Sequence, residues 1–405
     1  MEYKKLGHIA KIQTGPFGSQ LHQSDYKPTG IPCIMPCNIG SNLNIICDNI
    51  AYISEEDLNR LAKHKTQEGD IVYSRRGDIE KCAYISSRES GWLCGTGCLK
   101  VSIDSTIALP KYVAYLLSTP ESKAWLVGNA VGTTMLNLNT TVLSDFPIYL
   151  PDLDTQQKVV EIIDSIADKI ELNKRINDNL ERQAQALYKS WFVDFEPFKN
   201  GDFVESELGL IPIGWKVTEL SAVTKQITRK VKDRTDVKVL SPVNSGELVL
   251  SEEYFTKQVF SESISKYIVV KPLHFAYNPA RVNIGSIGMN TFAFDGCVSP
   301  VYVVFECEKE YHHFFDYYRK TDSFKEEVLT RAIGGVRQTL SYKDFSLIKL
   351  VYPPLDVVKK FNAIYERLLD NINRTKSEDS KLSDLRDTLL PKLMSGELKI
   401  NEIDC

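Results

Sequence analysis

A segment that occurs twice constrains this 405-residue chain more than any other feature. Pro151-Asp152-Leu153-Asp154 is echoed by Pro353-Pro354-Leu355-Asp356, at an offset of 202 residues, and the sequence that follows keeps that offset without a gap. Apolar residues fall at Val159, Ile163, Ile166, Ile170, Leu180, Ala184, Leu187 and Trp191, and then at Phe361, Tyr365, Leu368, Ile372, Leu382, Leu389 and Leu393. Both series alternate steps of four and three, the spacing that lines up apolar side chains along one seam of an α-helix. Asn173 and Asn177 interrupt the first seam, and their counterparts 202 residues later are Thr375 and Asp379. Arg386, aligned with Ala184, is one further break.

Each segment therefore predicts a helix of about 35–40 residues, roughly 50–60 Å long. Asp154 with Gln157 three residues on reads as a capping box after Pro151, and Asp356 is the candidate cap of the second helix. Pro391 is expected to end or kink that helix near its last seam residues. The first helix carries the chain from one globular segment to the next. If the two share a seam, the second must bring it back, so they should lie antiparallel about a pseudo-twofold axis. A plain helical hairpin inside a larger core is the competing reading. The matched polar breaks favour a spacer.

The segments between do not have helical spacing. Runs such as Asp70-Ile71-Val72-Tyr73-Ser74 and Val301-Tyr302-Val303-Val304-Phe305 are β-branched and aromatic, and turn signals such as Thr14-Gly15-Pro16-Phe17-Gly18-Ser19 separate them. Short helices are expected near 110–128 and 309–330. The fold class is mixed α/β: two β-rich α+β domains, 1–150 and 199–352, separated by two long antiparallel helices as a coiled-coil spacer, 151–198 and 353–405. The domains share a fainter frame, Gly132 to Leu138 against Gly334 to Leu340 and Asp145-Phe146 against Asp344-Phe345.

Composition narrows the chemistry. Nine cysteines with no apolar leader after Met1-Glu2-Tyr3-Lys4-Lys5 point to reduced thiols and a cytoplasmic location, and no run of about 18 apolar residues suggests a membrane span. Cys33/Cys37 and Cys94/Cys98 have the form C-x3-C, which reads better as small buried hydrophobes than as a zinc site. A net charge of −4 is mildly adverse to unaided nucleic-acid binding, although Arg75-Arg76 and Arg229-Lys230-Val231-Lys232-Asp233-Arg234 are local basic clusters. Asn278-Pro279-Ala280-Arg281 has arginine where a base-methylating enzyme would put its stacking aromatic, and no glycine-rich cosubstrate loop precedes it. The phosphate-binding pattern G-x4-G-K-S/T is missing. His312-His313 reads as a half-buried helix start. No convincing catalytic set is present.

Longer strings resemble the specificity subunit of type I restriction-modification enzymes over nearly the whole chain. They are Glu207-Leu208-Gly209-Leu210-Ile211-Pro212-Ile213-Gly214-Trp215, the run Leu187 to Pro197, and Leu389-Leu390-Pro391-Lys392-Leu393-Met394-Ser395-Gly396-Glu397-Leu398. Arg75-Arg76-Gly77 and Tyr277 to Ser286 are similar to strings of target-recognition domains. Thr155-Gln156-Gln157 departs slightly, standing where many relatives have a Glu-Gln pair. The resemblance implies a non-catalytic DNA-recognition subunit whose two domains each hold half of an asymmetric, split site on double-stranded DNA. The helices would set the gap and dock two methyltransferase (modification) subunits, with restriction (motor-nuclease) subunits joining them. It implies no cofactor in this chain, with S-adenosylmethionine, ATP and Mg on the partner subunits.

Reading bases needs side chains that bond base edges, chiefly Arg to guanine and Asn or Gln to adenine, while Ser, Thr and Lys hold phosphates. The candidates on loops are Ser19, Gln20, Arg75, Arg76, Thr133, Thr134 and Asn137 in the first domain. In the second they are Asn278, Arg281, Asn283, Arg337 and Gln338, with Tyr277 read as a core aromatic at a strand end. The alternative function is a coiled-coil interaction scaffold without DNA recognition.

Overall fold

Both heptad segments are unbroken α-helices, Leu153–Phe192 and Leu355–Ser395, in a computed structural model that describes residues 4–132, 136–255, 260–261, 263–331 and 339–398. Their ends differ from expectation in three places. The first helix is capped by Asp152, whose Oδ1 accepts from the Thr155 N–H at 2.8 Å. Asp154 already lies inside the helix and pairs with Lys158 one turn on, at 2.7 Å. Asp356 likewise falls in the first turn of the second helix, where its charge suits the positive helix end. Pro391 does not stop that helix, which runs on to Ser395. The stop is Gly396 at φ +72°, a left-handed conformation that closes the last turn through Gly396 N–H to Leu393 and Leu398 N–H to Lys392.

The chain forms two units, Met1–Lys174 with Thr375–Cys405, and Arg175–Arg374, so each unit takes half of both helices. In the first unit Val159, Val160 and Ile163 cluster with Leu390, Leu393 and Met394, and with Tyr112 and Tyr115 of the helix Pro110–Ser118. In the second, Ala184, Tyr188 and Phe192 cluster with Val358, Phe361 and Tyr365. The start of one helix meets the end of the other, so the halves in each unit run antiparallel. Tyr188 and Phe192 carry the burial there, while Leu187 and Trp191 are only partly buried. A straight helix drifts by about 20° per heptad from a 3.5-residue repeat, enough to pass the seam to the next residue by the far end. Each fully buried side chain of this size stabilises by roughly 1.5–3 kcal/mol.

The first unit contains β1 (Lys4–Lys5), β2 (Ala10–Thr14), β3 (Ile31–Ile34), β4 (Ala51–Ile53), β5 (Ile71–Ser74), β6 (Cys82–Tyr84), β7 (Leu93–Cys94), β8 (Cys98–Ile103) and β9 (Pro147–Ile148). An antiparallel sheet has the order β2-β8-β5-β6; a second, β4-β3-β7, pairs β3 and β7 in parallel; β1 and β9 pair alone. Two short helices, Pro110–Ser118 and Pro120–Asn129, fill the first expected helical stretch, divided where Pro120 follows an extended Thr119.

The second unit contains β10 (Phe203–Ser206), β11 (Gly209–Pro212), β12 (Lys216–Glu219), β13 (Thr224–Ile227), β14 (Lys238–Pro242), β15 (Leu248–Leu250), β16 (Ile268–Val270), β17 (Phe275–Tyr277), β18 (Ile287–Met289), β19 (Gly296–Val298), β20 (Val303–Cys307) and β21 (Lys349–Tyr352). Its sheets have the orders β13-β20-β17-β18 and β15-β14-β19-β16, with β12 paired to β21 and β10 to β11. Apart from the hairpin β10/β11, this is strand for strand the winding of the first unit, including the parallel pair β14/β19, with β16 added at one edge. The helices His312–Tyr318 and Asp322–Arg331 fill the second expected stretch.

Hydrogen bonds give the frame that the sequence showed only faintly. Leu6 N–H donates to Phe146 in the first unit and Leu220 N–H to Ile348 in the second, both at 2.9 Å. Asn139 caps the helix Thr140–Ser144, and Ser341 caps Tyr342–Phe345. The accepting residues Phe146 and Ile348 and the caps Asn139 and Ser341 keep the offset of 202 found in the helices, so Phe146 corresponds to Ile348 and not to Phe345.

Candidate nucleic-acid interface

Strand register decides which loops meet. Thr14 pairs with Leu99 and Ser74 with Cys98, so the C-terminal ends of β2 and β5 flank the start of β8 at one edge of the sheet. Beyond that edge Gly15 N–H donates to Cys98 and Arg75 N–H to Gly97, both at 2.8 Å. A side chain on Gly15 would overlap the Gly95 carbonyl at 2.0 Å, and one on Gly95 would strike Cys33, Ile34 and Met35 at 2.7 Å. Only glycine permits the two turns to approach so closely.

The candidates of the first unit gather there. Ser19 is exposed and Gln20 half-buried in the turn after Phe17; the Gln20 carbonyl accepts from Arg60 at 2.6 Å. The Arg75 guanidinium lies 5.8 Å from the centre of the exposed Phe17 ring, within cation–π range, and its buried Nε has no hydrogen-bond partner. Arg76 is exposed, and its backbone bridges Asn137. Asn137 is half-buried, with Oδ1 unpartnered, and its backbone bonds reciprocally with Val131. Leu138 N–H donates to the Arg75 carbonyl at 2.9 Å and ties the two loops together. Thr133 and Thr134 lie outside the described residues.

The second unit repeats the edge with other side chains. Ile227 pairs with Val304 and Tyr277 with Val303, which brings the ends of β13 and β17 to the start of β20. Tyr277 is fully buried and its hydroxyl donates to the Leu340 carbonyl at 3.2 Å, as a core aromatic should. Leu340 N–H donates to Pro279 at 3.0 Å, the counterpart of Leu138 to Arg75. Pro279 thus stands where the first unit has Arg75, and Arg281 stands at the place of Gly77. The Asn278 side chain is engaged locally, accepting from Ala280 N–H at 3.0 Å, so it shapes the turn. Arg281 is exposed, and with Asn278 and Tyr302 it lines an open cleft of ≈ 400 Å³. Burial pushes the Tyr302 phenol up, and the Arg281 guanidinium pulls it down. Asn283 is half-buried in the turn Val282–Ile284. Arg337 and Gln338 lie outside the described residues.

Two features of this edge escaped sequence reasoning. Phe17 at 54%, Val131 at 57%, Ile284 at 52% and Val301 at 70% expose apolar side chains beside the polar candidates, as contact with thymine methyls would require. Only an apolar residue in a turn could have signalled them. The basic cluster Arg229–Arg234 was visible as composition, yet nothing local linked it to this edge.

Elsewhere, three of the four cysteines in the C-x3-C pairs are packed in the core. Cys33 and Cys94 are buried, which pushes both thiols up to about 12; Cys98 is buried and Cys37 exposed. Among the described residues no group of His, Cys, Asp and Glu could hold a metal ion. None of their helices is long and apolar enough to cross a membrane.

A sheet edge that presents polar, cationic and apolar side chains on glycine-bounded turns suits a nucleic-acid reader, and residues 1–182 match the family described as the type I restriction modification DNA specificity domain. Over its length the chain is similar to the type I restriction enzyme MjaIX specificity subunit of Methanocaldococcus jannaschii, 25% identical with 99% of this chain and 94% of the relative covered. It is also similar to the HindI specificity subunit of Haemophilus influenzae, 23% identical with 91% and 95% covered. The fold matches the S subunit of a type I restriction-modification system from M. genitalium, with a TM-score of 0.58 at 15% identity over 97% of this chain and 95% of that one. The resemblance read from the sequence is borne out along the chain.

Proposed function

We propose that this chain is the DNA sequence-specificity subunit of a type I restriction-modification complex, in which each unit reads one half of an asymmetric, split target on double-stranded DNA. The observation that carries this is the repeated edge with unrelated side chains. One winding and one main-chain tie recur, while Arg75-Arg76-Gly77 is exchanged for Pro279-Ala280-Arg281. Two frames of one shape with different donors and acceptors suit two different base sequences.

In this reading the domains 1–150 and 199–352 are the target-recognition domains. Segments 151–198 and 353–405 form a pseudo-twofold spacer that sets the unread gap and docks two modification subunits. Ser19, Gln20, Arg75, Arg76, Asn137, Arg281 and Asn283 are the proposed DNA contacts, and Asn278 orders the turn that presents Arg281. The chain carries out no chemistry. S-adenosylmethionine, ATP and Mg belong to modification and restriction subunits that join it in the cytoplasm.

The test is to express the full-length chain with a modification subunit that co-purifies with it and map methylated adenines across a host genome. A two-part motif with a constant gap is expected. Methylation without a motif, or DNA binding equal on all fragments, would overturn the reading in favour of an interaction scaffold.

A further inference from the structure

The connector from β13 to β14, residues 228–237, occupies the place that the turn with Ser19 and Gln20 occupies between β2 and β3. The two differ in their density of positive charge. The connector of the first unit, residues 15–30, holds His22 and a single lysine, Lys27, whereas that of the second gathers Arg229, Lys230, Lys232 and Arg234 into six residues.

These four cations do different work. Arg234 is tied down: Nε and Nη2 grip the Asp236 carboxylate at 2.8 and 2.6 Å, and Nη1 reaches Asp295 at 2.8 Å. Such a two-pronged pair holds a guanidinium in one orientation. Arg229, Lys230 and Lys232 are exposed and make no ion pair among the described residues, with Asp233 offsetting one of their charges. The backbone beneath them is fixed. Val231 is 1% exposed in a cluster with Tyr267 and Val269. Its N–H donates to Tyr267 at 2.8 Å, Lys232 N–H to Ser265 at 2.9 Å, and Val269 N–H to Arg229 at 2.8 Å. Residues 228–234 alone line an open cleft of ≈ 700 Å³.

We infer that this connector is a clamp for the DNA phosphate backbone, with Arg229, Lys230 and Lys232 as the contacting cations and Arg234 as a positioning residue. The inference rests on the proposed DNA-reading function. Cations displayed on a pinned backbone lose little freedom when a polyanion arrives, and they lie at the edge that carries Arg281. Phosphate contacts carry no sequence information and set register. The second unit therefore anchors DNA electrostatically, while the corresponding connector of the first unit has Ser19, Gln20 and one exposed lysine, Lys27, to offer.

The test compares the full-length chain and its co-purified subunits with an R229A/K230A/K232A variant. Affinity for a duplex containing the mapped target and for one of arbitrary sequence is measured by fluorescence anisotropy over a salt series. Every neutralised phosphate adds about 0.9 to the steepness of log affinity against log salt, so the triple change should flatten it by roughly 2–3, equally for both duplexes. A K271A/K309A variant, changed at the opposite end of the same sheet, should keep the parental slope. R234A should weaken both duplexes while removing less slope than the triple change. An unchanged slope in a triple variant that still binds DNA would overturn the clamp and leave the proposed function standing, as would loss of a co-purified subunit with DNA affinity intact. Failure of the parental complex to prefer its target would instead overturn the proposed function.

Discussion

The side-chain amide of Asn173, fully buried in the first long helix, donates to the Asp379 carboxylate of the second at 2.7 Å. The same amide donates to Glu378 at 2.9 Å, while its Oδ1 has no partner. This polar break in the seam holds one register of the two helices, because any slip would leave a buried amide facing apolar neighbours. Asn173→Ala should destabilise the protein by about 1–3 kcal/mol, the cost of unpairing buried polar groups. Adding Asp379→Ala should cost less than its effect alone, since the shared bond is already gone. Chemical denaturation of the four proteins checks this; strictly additive losses would show that the contact is incidental.

Arg75 stands over Phe17 on a loop whose main chain is tied to Leu138. Arg75→Ala should weaken target binding by about 1–3 kcal/mol and relax preference at one position of one half-site. Phe17→Ala should weaken the same position less, by freeing the guanidinium rather than removing it. Competition with single-base variants of the target measures both. Equal weakening on every duplex would make Arg75 a phosphate contact.

His313 is buried 4.6 Å from the Tyr365 ring, and burial with the neighbouring His312 charge pushes its pKa down to about 3 against the pull of Asp316. An unfolded histidine titrates near 6.5, so between about pH 6.5 and 3 the unfolded chain binds a proton that the folded chain refuses. Stability should be complete above that window and fall as pH drops through it, by at most about 1.4 kcal/mol per pH unit from this group. His313→Leu should flatten the decline in midpoint denaturant concentration between pH 6 and 5. A decline of the same steepness would assign it to the carboxylates.

The proposed ruler predicts a change in gap. Seven residues inserted in each helix, after Lys174 and after Arg374, add about 10.5 Å of helix and keep the seam in phase. The mapped half-sites should move apart by about 3 base pairs at roughly 3.4 Å each, with their sequences unchanged. An unaltered gap would remove the helices from that role.

The helices were legible because heptad spacing is a local signal. It marked Leu153–Phe192 and Leu355–Ser395 closely, and it missed the place of Asp154 and Asp356 inside the first turns, the passing of the seam from Leu187 and Trp191 to Tyr188 and Phe192, and the power of Gly396 over Pro391 to end a helix. The candidate edge was half legible. Arg75 and Arg281 stand out as arginines after strand-like runs. Whether Arg229–Lys232 shares the edge of Arg281 depends on Ile227 pairing with Val304, a pairing between strands far apart in sequence that leaves no local trace. The common winding of the two units is hidden for the same reason: the register and main-chain bonds that define it tolerate almost any side chain.

That tolerance bears on how such a chain changes over generations. The loop carrying Arg75 and the loop carrying Pro279 are each fastened by a peptide N–H to a peptide carbonyl, from Leu138 and from Leu340. Neither fastening involves a side chain. A substitution at the proposed reading positions would therefore alter the recognised word without loosening the mount that presents it, so that new specificities would need no ancestor that fails to fold.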